Sequence, residues 1–297
     1  ETSEIILIED GSTDNSLTLC EALSATSSKV HLLRHLNGEN RGAGASRNIG
    51  ILTSACEYIA FLDADDYFLP GRFDVAKVIF ASNPTVDGVY EATGTHVEDQ
   101  SSLERWKAVR QSPDDLTTVR RIVAAENLFA ELVCGRLGYF SIDGLVVKRS
   151  LFKKCGLFDE HLLLHQDTAL IDKMAAVGRL VPGRLDQPVA IRRIHRGNRI
   201  LAERSNSEIY RAKMMRWAVL WEWGKTKLDR QQQNALLTGW LRTALYQPRF
   251  KTAYNSPLFR LINRTQLVLL AVEHPWLLLK PLYWYRFFPA RVSGRGI

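Results

Sequence analysis

The chain has little cysteine, and no cysteine is placed for a structural cross-link. Its 297 residues include four cysteines, which are widely separated: Cys20, Cys56, Cys134 and Cys155. No CxxC pair and no Cys/His spacing typical of zinc ligands occurs. This usage argues against a disulfide framework or a zinc finger and is typical of a reducing compartment. We therefore predict a cytoplasmic protein.

The sequence also lacks internal repeats, low-complexity tracts and long apolar runs. No run reaches the length of a membrane-spanning helix, because charged residues and Pro275 interrupt the apolar stretches within 258–292. That segment and 214–227 interleave Trp, Tyr and Phe with Arg and Lys. Such a composition fits a helix that lies in a membrane interface, and it equally fits a helical region that packs its tryptophans inward.

Acidic residues are scarce towards the C-terminus. Residues 184–297 hold 6 Asp and Glu against 21 Lys and Arg, whereas residues 1–183 hold 26 against 18. The formal charges are therefore +15 and −8, which give the net charge of +7 for the whole chain. This asymmetry predicts an anionic partner for the basic part, such as a membrane surface, a nucleic acid or a phosphorylated substrate, with a solvated basic face as the alternative.

The regular part of the sequence alternates strands with helices. Four short apolar runs have the character of buried strands: 4–9, 30–35, 58–62 and 86–92. Turn residues and helical segments separate them, and 188–196 is predicted as a last strand. The pattern indicates an α/β fold with a mostly parallel sheet and helices on both faces.

The remaining segments predict a two-part organisation. Residues 93–125 are polar with weak periodicity and are predicted to form an irregular excursion. The pattern becomes helical from about Glu203 onward. We therefore expect a catalytic domain over 1–200 and a helical, basic, aromatic-rich region over 201–297.

Acidic side chains follow two of the predicted strands. Asp10 comes after the first, and Asp63, Asp65 and Asp66 come after the strand 58–62. Ligands bind beyond the carboxyl ends of parallel strands, and clustered carboxylates need a counter-charge. Mg²⁺ or Mn²⁺ would supply it, especially with substrate phosphates in the coordination shell. Asp66 is instead expected to cap the helix near Pro70 or to support the metal-binding aspartates without contacting the metal.

The ordered set of short motifs resembles one enzyme family. "DGSTDNS", "NRGAGASRNIG", "FLDADDYFLP", "GLFDEHLLLHQDTALIDKMAAVG" and "RRIHRGN" occur in this order over residues 4–199. Together they resemble family-2 glycosyltransferases of the GT-A fold. The resemblance implies an inverting, metal-dependent enzyme that moves a sugar from a nucleotide diphosphate, by default a UDP-sugar, to a hydroxyl of a glycan or glycolipid acceptor.

The resemblance also implies roles for individual residues. Asp10 would contact the nucleobase edge, and Arg47 and Asn48 would lie near the nucleotide, although Arg47 could equally be a structural residue of its helix. Asp65 would bind the metal directly, with Asp63 beside it on the metal or the ribose.

Two further residues take roles on the opposite side of the substrates. Asp167 would be the catalytic base, a position that the helix dipole alone could also favour. His195 would help to hold the metal or the diphosphate, or would be a packed histidine of its strand.

Two departures from the family pattern accompany the resemblance. The family domain usually opens with a strand of the type V-S-V-I-I-P-x-Y-N and a helix, and we expect the domain here to lack both. Gln166 stands where the family commonly has Glu. This replacement removes a charge beside Asp167, whose pKa should therefore be less perturbed.

Other functions were weighed against the same residues. A haloacid-dehalogenase-type phosphatase also carries D-x-D after a strand, but Tyr67 stands where Thr or Val usually follows. The remaining alternative is a non-catalytic membrane-surface protein with a degenerate transferase domain. No motif for reading nucleic acid is present. We predict a glycosyltransferase of surface polysaccharide synthesis, peripheral at the inner face of the cell membrane.

Overall fold

The computed structural model describes residues 4–109 and 115–246, together with 265, 268, 271, 272 and 275–279. Strands and helices alternate through the first of these ranges and most of the second, as the sequence predicts. The elements are, in chain order, β1 Ile5–Glu9, α1 Ser16–Thr26, β2 Val30–Arg34, α2 Gly42–Thr53, β3 Tyr58–Ala60, β4 Tyr67–Phe68, α3 Asp74–Ser82, β5 Gly88–Tyr90, β6 Thr93–Val97, α4 Gln100–Val109, α5 Ala125–Val133, β7 Leu145–Lys148, α6 Phe152–Cys155, α7 Gln166–Val177, β8 Leu180–Pro182, β9 Ala190–Ile194, α8 Asn206–Lys227 and α9 Arg230–Tyr246.

The strands pair in three groups, which confirm the α/β class. β1 and β2 form a parallel pair, β3, β7, β5 and β8 form a four-stranded sheet in that order, and β4, β9 and β6 form a third. The β5–β8 and β6–β9 pairs are parallel, whereas β7 runs antiparallel to both β3 and β5, and β4 runs antiparallel to β9. The sheets are thus more mixed than the sequence pattern predicts, because an apolar run indicates burial but not strand direction.

Residues 93–125 are more regular than the sequence predicts. β6 pairs in parallel with the whole length of β9, and α4 packs Trp106 against Ile194 and Leu201 in a small buried cluster. α5 then joins the main core through Leu128 and Phe129. The prediction of an irregular excursion was wrong for the parts that the structure describes. Exposed polar residues on α4 hid its short apolar face.

The segment between β3 and α3 departs from the predicted capped helix. The Asp66 N–H donates to the Asp63 carbonyl over 3.0 Å, so the chain turns sharply after β3. β4 then pairs with β9, and α3 begins only at Asp74. Pro70 therefore precedes the helix by several residues, and Asp66 does not cap it. Both expectations were wrong because the turn and β4 take up the intervening residues.

The C-terminal helices share the core of the α/β part. α8 lies against α7 and α9 lies against α5. Trp217 and Trp221 of α8 are 3% and 5% exposed and belong to the main buried cluster. The inward-packing alternative is therefore confirmed for these two tryptophans. The boundary near residue 200 stays a prediction.

The second aromatic-rich segment, 258–292, lies outside the described residues except at a few positions. Among the residues that the structure describes, no helix combines the length and apolar character that a bilayer crossing needs.

One contact between α5 and α9 yields a test of this packing. A Cβ added at Gly239 would lie 2.0 Å from the Val133 carbonyl oxygen. Gly→Ala in an exposed helix stabilises by up to about 1 kcal/mol. We expect Gly239→Ala to act in the opposite sense and to lower the free energy of unfolding by about 1–3 kcal/mol, because backbone cannot give way as a side chain can.

Gly50→Ala in α2 is the matched control, since its added Cβ meets only the flexible Ile8 side chain at 3.3 Å. Urea denaturation of both variants measures the difference. An unchanged or raised midpoint for Gly239→Ala would contradict the close α5–α9 contact.

Candidate active site

Asp10 anchors the helix that follows β2. Its carboxylate accepts hydrogen bonds from the Arg41 N–H over 2.8 Å and the Gly42 N–H over 2.9 Å. These contacts explain why α2 begins at Gly42, within the glycine-rich stretch. A carboxylate at this position satisfies orphan N–H groups of the first turn. The predicted contact of Asp10 with a nucleobase stays a prediction.

Arg47 of α2 lies among three carboxylates. Its Nη2 donates to Asp63 Oδ1, and its guanidinium lies 5.4 Å from the centre of the Phe158 ring. Burial alone would lower the pKa of Arg47, but the charges of Asp63, Asp167 and Asp143 outweigh burial and raise the pKa. Arg47 therefore remains charged and faces residues from three separate parts of the chain.

Asn48 fastens α2 to the loop that precedes α7. Its Nδ2 donates to the Phe158 carbonyl over 3.0 Å, and its Oδ1 accepts from the Phe158 N–H over 2.9 Å. Nδ2 also lies 3.1 Å from Glu160 Oε1. Asn48 is 5% exposed. This geometry makes Asn48 a structural clamp, and its predicted nucleotide contact stays a prediction.

The acidic turn after β3 brings three carboxylates together. One oxygen from each of Asp63, Asp65 and Asp66 lies within 4.8 Å of the others. Asp66, expected to cap a helix, joins this cluster. Burial above all raises the pKa of Asp66 to about 7, with smaller contributions from neighbouring aspartates, although an N–H bond from Arg193 opposes the rise.

The end of β9 completes the surroundings of the cluster. His195 Nε2 lies 3.2 Å from Asp65 Oδ2, and Asn198 Nδ2 donates to the same oxygen over 2.8 Å. The Arg193 N–H donates to Asp66 Oδ1 over 2.9 Å, and its Nε donates to the Asp65 carbonyl. The structure thus makes His195 a hydrogen-bonding partner of Asp65, and its direct metal ligation stays a prediction.

A buried carboxylate that sequence reasoning missed lies behind Arg47. Asp143 is 2% exposed, its Oδ2 accepts from Ser141 Oγ over 2.7 Å, and Arg192 Nη2 lies 3.8 Å from it. Burial, followed by the charge of Asp63, raises the pKa of Asp143. Asp143 precedes β7 in a stretch with no motif of its own. The cluster of arginines in "RRIHR" was the available signal that acidic partners lay nearby.

The predicted base lies at the start of α7. Asp167 Oδ1 accepts from its neighbouring Thr168 N–H over 2.8 Å. The preceding His165 has a left-handed backbone (φ 64°), which turns the chain sharply into the helix. A Cβ at Gly44 of α2 would lie 2.8 Å from the Gln166 amide nitrogen, so the side chain of Gln166 packs directly on α2. The two helix starts therefore hold Asp167 and Arg47 on the same side of the site.

The residues present fit a divalent cation. Three carboxylates converge, and among the described residues they have two ion-pair contacts. Asp63 pairs with Arg47, and Asp65 contacts His195. Burial above all raises the pKa of Asp66 and the neighbouring aspartates add to the rise, and a hard cation would favour the ionised carboxylates. Asp63, Asp65 and Asp66 are the residues that would hold it.

The part of the chain that carries this site is similar to known proteins. The family model "Glycosyl transferase family 2" matches residues 1–123, which contain α2 and the acidic turn. This part of the chain is therefore similar to glycosyl transferase family 2. Relatives include the succinoglycan biosynthesis protein ExoU of Rhizobium meliloti, 42% identical over 72 residues, which are 24% of this chain and 20% of ExoU. An uncharacterized glycosyltransferase of Haemophilus influenzae is 22% identical over 192 residues, 65% of this chain and 58% of that protein.

Solved glycosyltransferase structures share the GT-A fold with this chain. The structure of S. aureus TarS residues 1–349 in complex with UDP-GlcNAc gives a TM-score of 0.60 at 16% identity, over 86% of this chain and 67% of that one. The chain spans about a fifth of ExoU and little more than half of the Haemophilus relative. The likeness shows the fold, and the activity is argued separately below.

The Asn48 clamp yields a prediction on stability. Asn48→Ala would leave a buried N–H and a buried carbonyl of Phe158 without partners, at about 1–3 kcal/mol for each. We expect urea denaturation to show a loss of about 2–4 kcal/mol in unfolding free energy.

Asn127→Ala is the control, because Asn127 is exposed on α5. Its unfolding free energy should stay within about 0.5 kcal/mol of the parent protein. Equal stabilities for the two variants would show that Asn48 does not fasten the loop.

Proposed function

We propose that this chain is an inverting glycosyltransferase that moves a sugar from a nucleotide diphosphate to a hydroxyl of a glycan or glycolipid acceptor. The observation that carries the proposal is the convergence around Arg47. The acidic turn of Asp63, Asp65 and Asp66 borders this arginine, and the start of α7, which carries Asp167, packs on α2 through Gln166. A single displacement requires two groups beside the same substrate. One stabilises the leaving diphosphate, and the other is a base for the acceptor hydroxyl.

The acidic turn takes the donor side of the reaction. When bound there, Mn²⁺ or Mg²⁺ would neutralise charge that develops on the leaving diphosphate. Asp65 is oriented by His195 and Asn198, which both contact its Oδ2. Asp63 is held by Arg47. The chain therefore fixes the carboxylates by hydrogen bonds before any substrate arrives.

Asp167 takes the acceptor side. Its carboxylate would accept the proton of the acceptor hydroxyl, whose oxygen attacks the anomeric carbon as the bond to the diphosphate breaks. One such displacement inverts the configuration at that carbon. The Thr168 N–H donates to Oδ1 and so orients the carboxylate at the start of α7.

The relatives support a more specific form of the proposal. TarS was solved with UDP-GlcNAc, which supports a UDP-sugar as the default donor. ExoU carries succinoglycan biosynthesis in its name, which supports a polysaccharide or its lipid-linked precursor as the acceptor. An acceptor of that kind is made at a membrane, so we propose peripheral contact with the inner face of the cell membrane. Neither a nucleic-acid partner nor a phosphatase reaction is part of the proposal.

Two substitutions test the division of labour. In a panel of nucleotide sugars with Mn²⁺ and a mixture of lipid-linked and soluble glycan acceptors, nucleotide release measures turnover. We expect Asp65→Ala and Asp167→Asn each to lower release at least about 100-fold, because each removes a group that acts in the transition state. Asp65→Ala should also weaken Mn²⁺-dependent binding of UDP, whereas Asp167→Asn should leave that binding unchanged.

Asp186→Asn is the control, since Asp186 is an exposed acid outside the site. It should retain the parent rate. Full activity in both site variants would refute the proposal. Mn²⁺-dependent UDP binding without turnover by the parent protein, across the whole panel, would favour the non-catalytic alternative.

A further inference from the structure

The segment from Arg192 to Arg204, here called the strap, runs from the acidic turn to the loop before α7. At one end, His195 and Asn198 contact the carboxylate of Asp65. Further along the strap, Arg199 Nη2 donates to the carbonyl of Leu163, four residues before Asp167. The strap therefore touches both the proposed donor side and the proposed acceptor side of the site.

The strap is strongly basic, and only some of its arginines form ion pairs with carboxylates. It holds five arginines and one acidic residue, Glu203. Three arginines face carboxylates: Arg192 at 3.8 Å from Asp143, Arg193 at 3.2 Å from Glu98, and Arg196 at 3.5 Å from Asp99.

Arg199 and Arg204 differ from these three because neither forms an ion pair with a carboxylate of the described residues, although the charge of Arg204 helps to lower the pKa of Glu208. Within the residues that the structure describes, their side chains bond only to backbone carbonyls, with Arg204 Nη1 donating to the Arg199 carbonyl over 2.8 Å. Arg199 is exposed and Arg204 is half-buried. A guanidinium has five N–H donors, so most of the donors on each side chain are left for a ligand.

These two arginines lie on the side of the base. The loop that Arg199 holds leads through His165 into α7. Burial, together with the charges of Arg216, Lys213 and Arg204, lowers the pKa of His165 to about 4. His165 is therefore neutral and adds no positive charge of its own, whereas Arg216, Lys213 and Arg204 place positive charge near this loop. The donor side is already served by the acidic turn and by Arg193, His195 and Asn198.

We propose that Arg199 and Arg204 bind an anionic group, a phosphate or a carboxylate, that the acceptor carries close to its reacting hydroxyl. The inference rests on the proposed function and adds the class of acceptor to it. Planar guanidinium groups bind such oxyanions with two parallel hydrogen bonds. The two arginines together would also orient the acceptor, with its hydroxyl towards Asp167.

The anionic group can come from two sources, an acidic sugar of the glycan or the phosphate of a lipid-linked acceptor. Both meet the same donors. The contact is solvent-accessible, so its strength should fall as ionic strength rises, since the screening length is about 8 Å at physiological salt. A neutral acceptor would gain nothing from either arginine.

The test uses the full chain with Mn²⁺ and UDP and three soluble probes of equal length. These are a hexamer of galacturonic acid, a hexamer of glycerol phosphate, and neutral maltohexaose. We expect the parent protein to bind one or both anionic hexamers. Arg199→Gln/Arg204→Gln should weaken that binding by at least about tenfold, because charge-assisted hydrogen bonds are the strong ones.

Lys225→Gln/Lys227→Gln is the matched control, since it removes the same charge from the far end of α8. Both lysines are exposed there, about 30 Å along the helix from its start. The control should bind the hexamers as the parent does. UDP binding in the presence of Mn²⁺ should be unchanged in both double variants.

Four results would overturn the inference. The first is that the parent protein binds neither anionic hexamer, and the second is that the two double variants lose equal affinity. The third is that Arg199→Gln/Arg204→Gln loses UDP binding. The fourth comes from binding to vesicles of phosphatidylglycerol in phosphatidylcholine: a defect of that variant on the vesicles but not with the hexamers. The last would assign the arginines to a membrane surface. Failure of the proposed function itself is distinguishable, because the parent protein would then release no nucleotide across the panel of donors and acceptors, whether or not it binds UDP with Mn²⁺.

Discussion

The contact of Arg47 with Asp63 is the interaction on which the rest of the site depends. The guanidinium also faces the charges of Asp143 and Asp167, so it stands at the meeting point of the acidic turn, the start of β7 and the start of α7. Without a positive group there, three carboxylates would share a half-buried space at considerable cost. Its position is itself fixed by α2, because the carboxylate of Asp10 holds the first turn of that helix and Asn48 fastens its middle to the loop before α7.

The sequence foretells the parts of this arrangement that are encoded locally. The apolar run before Asp63 predicts β3, and the order of short motifs points to Asp10, Arg47, Asp65 and Asp167 as residues of one site. The structure shows that Arg47 and Asp63 are joined and that the charge of Asp167 reaches Arg47. The same motifs could not indicate that the Asn48 side chain hydrogen-bonds to the backbone of Phe158, because that contact spans 110 positions of the chain.

Other features escaped the sequence for physical reasons. β7 is an ordinary apolar run, and only its place between β3 and β5 sets its direction and makes the sheet mixed. Asp143 stands beside β7 with no motif around it, and burial alone gives it significance. Asp66 looks like a helix cap until the turn after β3 brings its N–H to the Asp63 carbonyl and its side chain into the acidic cluster. Contacts distant in sequence decided the roles of β7 and Asp143, whereas a local turn decided that of Asp66.

The helical region is coupled to the site through packing as well as charge. Arg216 of α8 donates to the buried Asp172 of α7, the helix whose first turn carries Asp167, and Trp217 beside it is part of the main core. Two buried charges in one pair are held only when both partners stay in place, since removing either leaves the other unpaired. The position of α8 therefore constrains α7, and with it both the base and the loop that Arg199 holds. The basic, aromatic-rich helix α8 thus helps to hold α7, the helix that carries the proposed base.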